Sequence, residues 1–160
     1  MGVKQEKTNV MRLLDAAGIE YEPRTYVGSG AVSGVDVAKA LGEDPDSVFK
    51  TLVTESKSGG HYVFVIPVAA ELDLKKAAHA SGEKAITMIH QKELLPLTGY
   101  IHGGCSPIGM KKPFPTFVDE TAQLFDRIYF SAGKIGWQIG VSPEDARRYI
   151  GFEYADLTEE

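Results

Sequence analysis

The strongest constraint on the fold is a pair of β-branched, apolar runs, Val48–Thr54 and Tyr62–Val68, separated by Ser58-Gly59-Gly60. Two such runs around a glycine turn predict an antiparallel hairpin. Helices are marked by their caps and apolar spacing. Thr8 can cap a first helix carrying Val10, Leu13, Leu14 and Ala17, with Gly18 as its stop. Ser33 with Asp36 opens a second that ends at Leu41-Gly42, and Asp44-Pro45 opens one short turn. Asp73 caps a helix through Ala80 that stops at Gly82, and Gln91–Leu95 reads as a brief helix. Ser142-Pro143 begins the last one.

Further strands are expected at Tyr21–Tyr26, Lys84–Ile89, Thr116–Asp119, Arg127–Phe130, Trp137–Val141 and Phe152–Leu157. Between them, Gly99–Pro113 is punctuated by Gly103, Gly104, Pro107, Gly109 and Pro113, too densely for any regular element. The mixture is α/β with a large sheet and irregular strand order, not a regular βαβ alternation. No linker or repeat interrupts the chain, which predicts one domain over residues 1–160. With 160 residues and 43% hydrophobic side chains, it can bury a core without disulfide or metal. One cysteine excludes an internal disulfide and a zinc–cysteine cluster. The polar start MGVKQEKTN is unlike a signal peptide, and no apolar run spans a bilayer, so a cytoplasmic protein without membrane partners is expected.

The net charge of −5 argues against a strong nucleic-acid binder. Its distribution weakens that argument, because residues 144–160 carry −4 of it and residues 1–143 only −1. A local basic face remains compatible with the composition.

Lys50 interrupts the run Val48-Phe49-Lys50-Thr51-Leu52-Val53 and, in a strand, shares a face with Val48 and Leu52. One reading is a lysine that protects a strand edge or reaches past it to water. The other is a cation at a cleft wall, placed to bind phosphate or to offset charge developing on a carbonyl oxygen. Gly103-Gly104-Cys105-Ser106-Pro107-Ile108-Gly109 and Ser131-Ala132-Gly133-Lys134-Ile135-Gly136 are two loops in which glycines let another group approach the backbone. Neither matches a nucleotide-binding glycine motif. Each loop alone reads as a tight structural turn, and the two together suggest a shared site. His102 and Cys105 invite a thiol nucleophile with a histidine base, but no third member follows, and a lone cysteine reads more simply as a packing residue. His61, His79, His90 and His102 lack metal-ligand spacing.

Taken in order, Thr25-Tyr26, Val48-Phe49-Lys50-Thr51-Leu52, Leu72-Asp73-Leu74-Lys75-Lys76, Thr98-Gly99-Tyr100, the Gly103–Lys112 loop and Ile128–Gly136 resemble the YbaK/EbsC family of bacterial Cys-tRNA(Pro) deacylases. These are trans-editing relatives of the editing domain of prolyl-tRNA synthetase. The resemblance covers nearly the whole chain and implies an α/β fold with a mixed, barrel-like sheet surrounded by helices. It implies catalytic roles for Lys50 and Gly103, and substrate contacts from Tyr26, Thr51, Gly104, Ser106, Pro107, Gly109, Ser131, Gly133, Lys134 and Gly136. It also implies the 3′ CCA end of an aminoacylated tRNA as partner, a complex with prolyl-tRNA synthetase, and neither metal nor cofactor.

In the mechanism the resemblance implies, the substrate's own cysteine thiol attacks its ester carbonyl. Lys50 or the N–H groups of Gly103-Gly104 stabilise the oxyanion. The resemblance breaks at Ile135, where relatives carry a second basic residue, at Gln138, a variable polar position, and at Cys105, which replaces an aliphatic residue. Two alternatives stand beside this reading: a deacylase for another mischarged tRNA(Pro), such as Ala-tRNA(Pro), using a bound water, and a non-catalytic module that binds aminoacyl-tRNA or a synthetase. A third, a pyridoxal-phosphate enzyme with Lys50 as Schiff base, lacks a phosphate cup.

Overall fold

The structure, a computed structural model, describes residues 7–159, so most of the polar start and the last acid, Glu160, lie outside the described residues. The first element of the described residues is α1 (Asn9–Ala16), capped by Thr8 Oγ1 accepting from Met11 N at 3.3 Å. Strand β1 (Glu22–Thr25) leads to α2 (Gly34–Ala40), where Ser33 Oγ accepts from Asp36 N. A short 3-10 turn at Pro45–Ser47 follows, and then the expected hairpin, β2 (Phe49–Ser56) against β3 (His61–Pro67). Next come α3 (Leu74–Ser81), β4 (Ile86–Met88) and α4 (Gln91–Thr98). No helix or strand forms between Gly99 and Pro115, after which β5 (Thr116–Asp119), a 3-10 turn at Glu120–Leu124, β6 (Ile128–Ser131) and β7 (Trp137–Val141) follow. The described chain closes with α5 (Pro143–Ile150) and β8 (Glu153–Ala155).

The strands form two sheets, one ordered β1-β7-β6 and one ordered β4-β2-β3-β5-β8. The second mixes antiparallel β4-β2-β3 with parallel β3-β5-β8. The sheets meet at one parallel bridge, Val48 to Tyr129. The single barrel-like sheet of the sequence reading is therefore resolved into two open ones. The reason is local: β4 pairs only with Thr54–Ser56, leaving the first half of β2 without a ladder on that side, and β6 reaches β2 only at the bridge.

Strand β3 explains why the hairpin reads as a continuous apolar run. Val63 and Val65 face a core shared with Phe49 and Val53, with Phe130 and Ile139 of the small sheet, with Val10, Met11 and Leu14 of α1, and with Cys105 and Ile108. Phe64 and Ile66 face a second core, with Leu72, Ala77 and Ala78 around α3, Ile86 and Leu157. All four β3 residues are at most 1% exposed. Truncating either phenylalanine, Phe64 or Phe130, removes a side chain of the kind whose loss costs about 3–5 kcal/mol.

Candidate functional site

The glycine loops of the sequence are joined in space. A Cβ on Gly104 would stand 3.1 Å from Ile135 N and 3.5 Å from Ile135 Cγ1, and one on Gly103 would stand 3.6 Å from the same Cγ1. A side chain at Gly104 would crowd the backbone of the second loop, whereas the contact at Gly103 is an ordinary one with the Ile135 side chain. Tyr100 links them again: Gly109 lies against its hydroxyl and Gly133 against its ring, and the hydroxyl donates to Ile108 O. Burial pushes the Tyr100 phenol up to about 12, so it is a donor at neutral pH. The sequence offered one clue to this strut, an aromatic side chain set inside a glycine-rich tract.

Strand β1 reaches the same place. Tyr26 N and Thr25 Oγ1 both donate to Gly136 O, at 2.9 Å each, so half-buried Tyr26 stands at the edge of the second loop. Gly133 and Gly136 turn that loop with φ of 91° and 98°, and Ser131 Oγ accepts from Gly133 N. The two halves of the Gly103–Gly109 loop differ. Gly103 is exposed, at φ 89°, and its N–H donates to nothing among the described residues. Gly104 is buried and donates to Ile101 O at 3.0 Å. Ser106 is fully buried, its Oγ accepting from Ile108 N, and Pro107 is buried beside it. A free N–H therefore stands at Gly103 and not at Gly104. Burial also raises the Cys105 thiol to about 12, which keeps it protonated at neutral pH and suits a packing residue rather than a nucleophile.

Lys50 pairs with Ile66 across the hairpin and so projects to the face of the second core, with Leu52 and Phe64. It is half-buried and, among the described residues, forms no ion pair or side-chain hydrogen bond. Thr51, next in the chain, pairs with Val65 and points to the first core, where its Oγ1 is buried without a hydrogen-bond partner among the described residues. An unpaired buried hydroxyl costs about 1–3 kcal/mol. Two residues beyond the Val48–Tyr129 bridge stand Lys50 on β2 and Ser131 on β6. The bridge thus ties the lysine strand to the second glycine loop.

A charged cluster lies one residue behind Thr25 and Trp137, at the β1–β7 pair Arg24 and Gln138. Glu43, 1% exposed at its side chain, accepts from Arg24 Nη1 at 3.1 Å. Gln138, its amide nitrogen turned to Glu43, donates to both carboxylate oxygens at 3.0 and 2.9 Å. The Arg24 guanidinium sits 4.7 Å over the Tyr129 ring and also pairs with Glu22. Burial raises the Glu43 carboxyl against the opposing pull of Arg24. Sequence reasoning missed this set because its members are far apart in the chain. An open cavity of about 550 Å³ lined by Asp15, Gly18, Ile19, Glu20, Tyr21, Pro23 and Arg127 touches none of the sequence-predicted site residues.

The sequence profile of aminoacyl-tRNA editing domains matches residues 28–149, which includes both glycine loops and the lysine strand. The chain belongs to that family. The editing domain is 46% identical over 155 residues to EbsC of Enterococcus faecalis, described as a candidate Cys-tRNA(Pro)/Cys-tRNA(Cys) deacylase, covering 96% of this chain and 94% of that one. It is 31% identical over 123 residues to a proline–tRNA ligase of Shouchella clausii, covering 76% of this chain and 21% of the ligase. Among solved structures it superposes with TM-score 0.84 and 25% identity on a candidate trans-editing enzyme for prolyl-tRNA synthetase, covering 94% of this chain and 95% of that one.

Proposed function

We propose that this editing domain is a trans-editing deacylase that removes cysteine from Cys-tRNA(Pro), working in the cytoplasm as one domain over residues 1–160. The observation that carries the reading is the exposed, unused N–H of Gly103, held at positive φ on a backbone that the second loop keeps in place. That is the arrangement an oxyanion needs, and a preorganised donor of this kind changes rates by about 10²–10³-fold. High identity to EbsC along the length of both chains supports the substrate class.

The chemistry needs no protein nucleophile. The cysteine thiol of the substrate attacks its own ester carbonyl, Gly103 N–H stabilises the oxygen that becomes negative, and the carbon–oxygen bond to the 3′ ribose breaks. The thiol proton ends on the ribose oxygen and cysteine leaves as a thiolactone. Folding the substrate correctly is most of the work, because a well-placed intramolecular thiol has an effective molarity of about 10⁵ M or more. Lys50 is the electrostatic anchor for substrate anionic groups. Tyr26, Ser131, Gly133, Lys134 and Gly136 border the entry for the CCA end, Gly104, Ser106 and Pro107 shape the first loop from its buried side, Gly109 turns its exposed end, and Thr51 lies in the core. Similarity to a segment of a proline–tRNA ligase supports association with that synthetase.

The test is deacylation of tRNA(Pro) charged with cysteine, alanine or serine. Cys-tRNA(Pro) should lose its amino acid, Lys50→Ala should abolish the reaction, and Cys105→Ala should leave it within about twofold. Blocking the substrate thiol should slow it by orders of magnitude. Equal rates with alanine would assign the attack to water, and no deacylation of any charged tRNA would leave only a binding module.

A further inference from the structure

The deacylation chemistry leaves one buried carboxylate without a task. The Glu43 side chain is 1% exposed, accepts from Arg24 Nη1 at 3.1 Å, and takes both donations of the Gln138 amide nitrogen at 3.0 and 2.9 Å. Burying such a group is a poor source of stability, since apolar residues of similar size often do as well or better. Its place in the fold points to another use. A Cβ on Gly34, at the start of α2, would stand 2.6 Å from Val68 Cγ1, just past β3 of the large sheet. The other end of α2 closes with Gly42 at φ 67° and Glu43 N donating to Ala38 O at 2.8 Å, which delivers Glu43 to β1 and β7 of the small sheet. Helix α2 thus reaches from one sheet to the other, and the strands of the two sheets, among the described residues, pair with each other only at the Val48–Tyr129 bridge.

The residues that Glu43 holds belong to the same face as the candidate site. Ile128, Phe130 and Ile139 point into the first core, so Tyr129, Ser131 and Gln138 point away from it. Phe49 and Val53 likewise point inward and Lys50 outward. Arg24 and Ser131 are the register partners of Gln138 on either side, and Lys50 and Ser131 each stand two residues past the bridge. Arg24, Gln138, Ser131 and Lys50 therefore stand in one row across both sheets, with Glu43 fastened to two of its members.

We propose that Glu43 is a positioning residue for deacylation: by holding the Gln138 amide from α2, it sets the second glycine loop relative to Lys50. The proposal rests on the deacylase reading for what Lys50 and that loop do. Glu43 itself touches no substrate. Gln138 lies two residues past Gly136, where the loop ends, and Arg24, the other partner of the carboxylate, lies two residues before Tyr26, whose N–H donates to Gly136 O. A misplacement of about 1 Å at reacting groups costs up to about 10²-fold in rate. A shift of this frame is therefore read in the chemical step, while the grip on RNA, which the exposed lysines supply, is kept.

Glu43→Gln tests this with little change of volume. It turns one carboxylate oxygen into an NH2 group facing the Gln138 NH2, so one of the two amides must turn away. With Cys-tRNA(Pro), well below the melting temperature of the variant, kcat should fall about tenfold while KM stays within about twofold. Gln138→Met should give a similar loss, and adding Glu43→Gln to it should cost nothing further, because both substitutions break one contact. Trp137, the sole tryptophan, lies between Gly136 and Gln138 and needs no tRNA to report: its emission should shift in Glu43→Gln. A folded Glu43→Gln protein with a lowered melting temperature but wild-type kcat and wild-type Trp137 emission would make Glu43 a stability residue alone and overturn the proposal. Losses that multiply to about 100-fold in the double variant would also overturn it, since Glu43 would then act apart from Gln138. A wild-type protein that deacylates no charged tRNA, with Trp137 still responding to Glu43→Gln, would remove the deacylase reading and leave Glu43 as the residue that sets the loop.

Discussion

Glu43 is a carboxylate whose environment pulls it two ways. Burial favours its neutral form, while Arg24 at 3.1 Å and the Gln138 amide favour the charged one, and burial is the larger effect. A carboxyl raised in the folded state contributes stability that is full below its unfolded value, near 4.5, and is lost as pH rises through the folded value. Glu43→Gln mimics the neutral form at every pH. The stability of the wild type relative to Glu43→Gln should therefore fall as pH is raised from about 4 to 7, measured by urea unfolding at each pH. A difference that grows with pH would mean that Arg24 and Gln138 outweigh burial. Arg24→Met leaves the carboxylate without its cation and should cost about 3–5 kcal/mol at neutral pH. None of this was legible in the sequence. Glu43 reads as a polar residue before the Asp44-Pro45 turn, and the pairing that buries it depends on Arg24 and Gln138 meeting across β1 and β7.

At the scale of elements, the β6–β7 hairpin holds the second glycine loop, and Gly136 is its most constrained position. Its φ of 98° disfavours any side chain, and a Cβ there would collide with Val27 Cγ2. Gly136→Ala should cost about 1–3 kcal/mol, read as a lower melting temperature. It should also lower activity more than stability, since the displaced Val27 adjoins the site. Gly18→Ala is a suitable control, with positive φ but nothing within 4 Å of its Cβ, and it should affect only stability. Caps and β-branched runs made most elements legible. Thr8, Ser33, Asp73 and Ser142 all cap helices, and β5 and β7 have the expected boundaries. One helix end and one short turn escaped. Helix α4 runs through Pro96 to its left-handed cap at Gly99, where the sequence reading stopped at Leu95 before the proline, and the turn at Glu120–Leu124 carries no strong periodic signal. Sheet partition was illegible because it rests on β6 meeting β2 at a single bridge, a contact between distant segments.

For the whole molecule, a net charge of −5 and a tRNA ligand have to be reconciled. Part of the acidity is neutralised locally: Arg147 pairs with Glu144 at 3.8 Å, and Arg148 pairs with Asp145, both on α5. The exposed cations Lys111, Lys112 and Lys134 lie in or just after the two glycine loops. Gly99 packs against the Lys111 stem, which anchors that lysine to the loop it follows. If these three lysines supply the phosphate contacts to a single-stranded CCA end, the logarithm of kcat/KM should fall with the logarithm of salt at a slope of about −2. Between about 50 and 200 mM salt that is a loss of roughly 16-fold. Lys111→Gln with Lys112→Gln should flatten the slope to about −0.7 while leaving the rate at saturating substrate unchanged, because neither residue approaches the ester. A wild-type slope steeper than about −5 would require more phosphate contacts than these three lysines supply, and would assign most of the tRNA grip to a bound partner such as the synthetase.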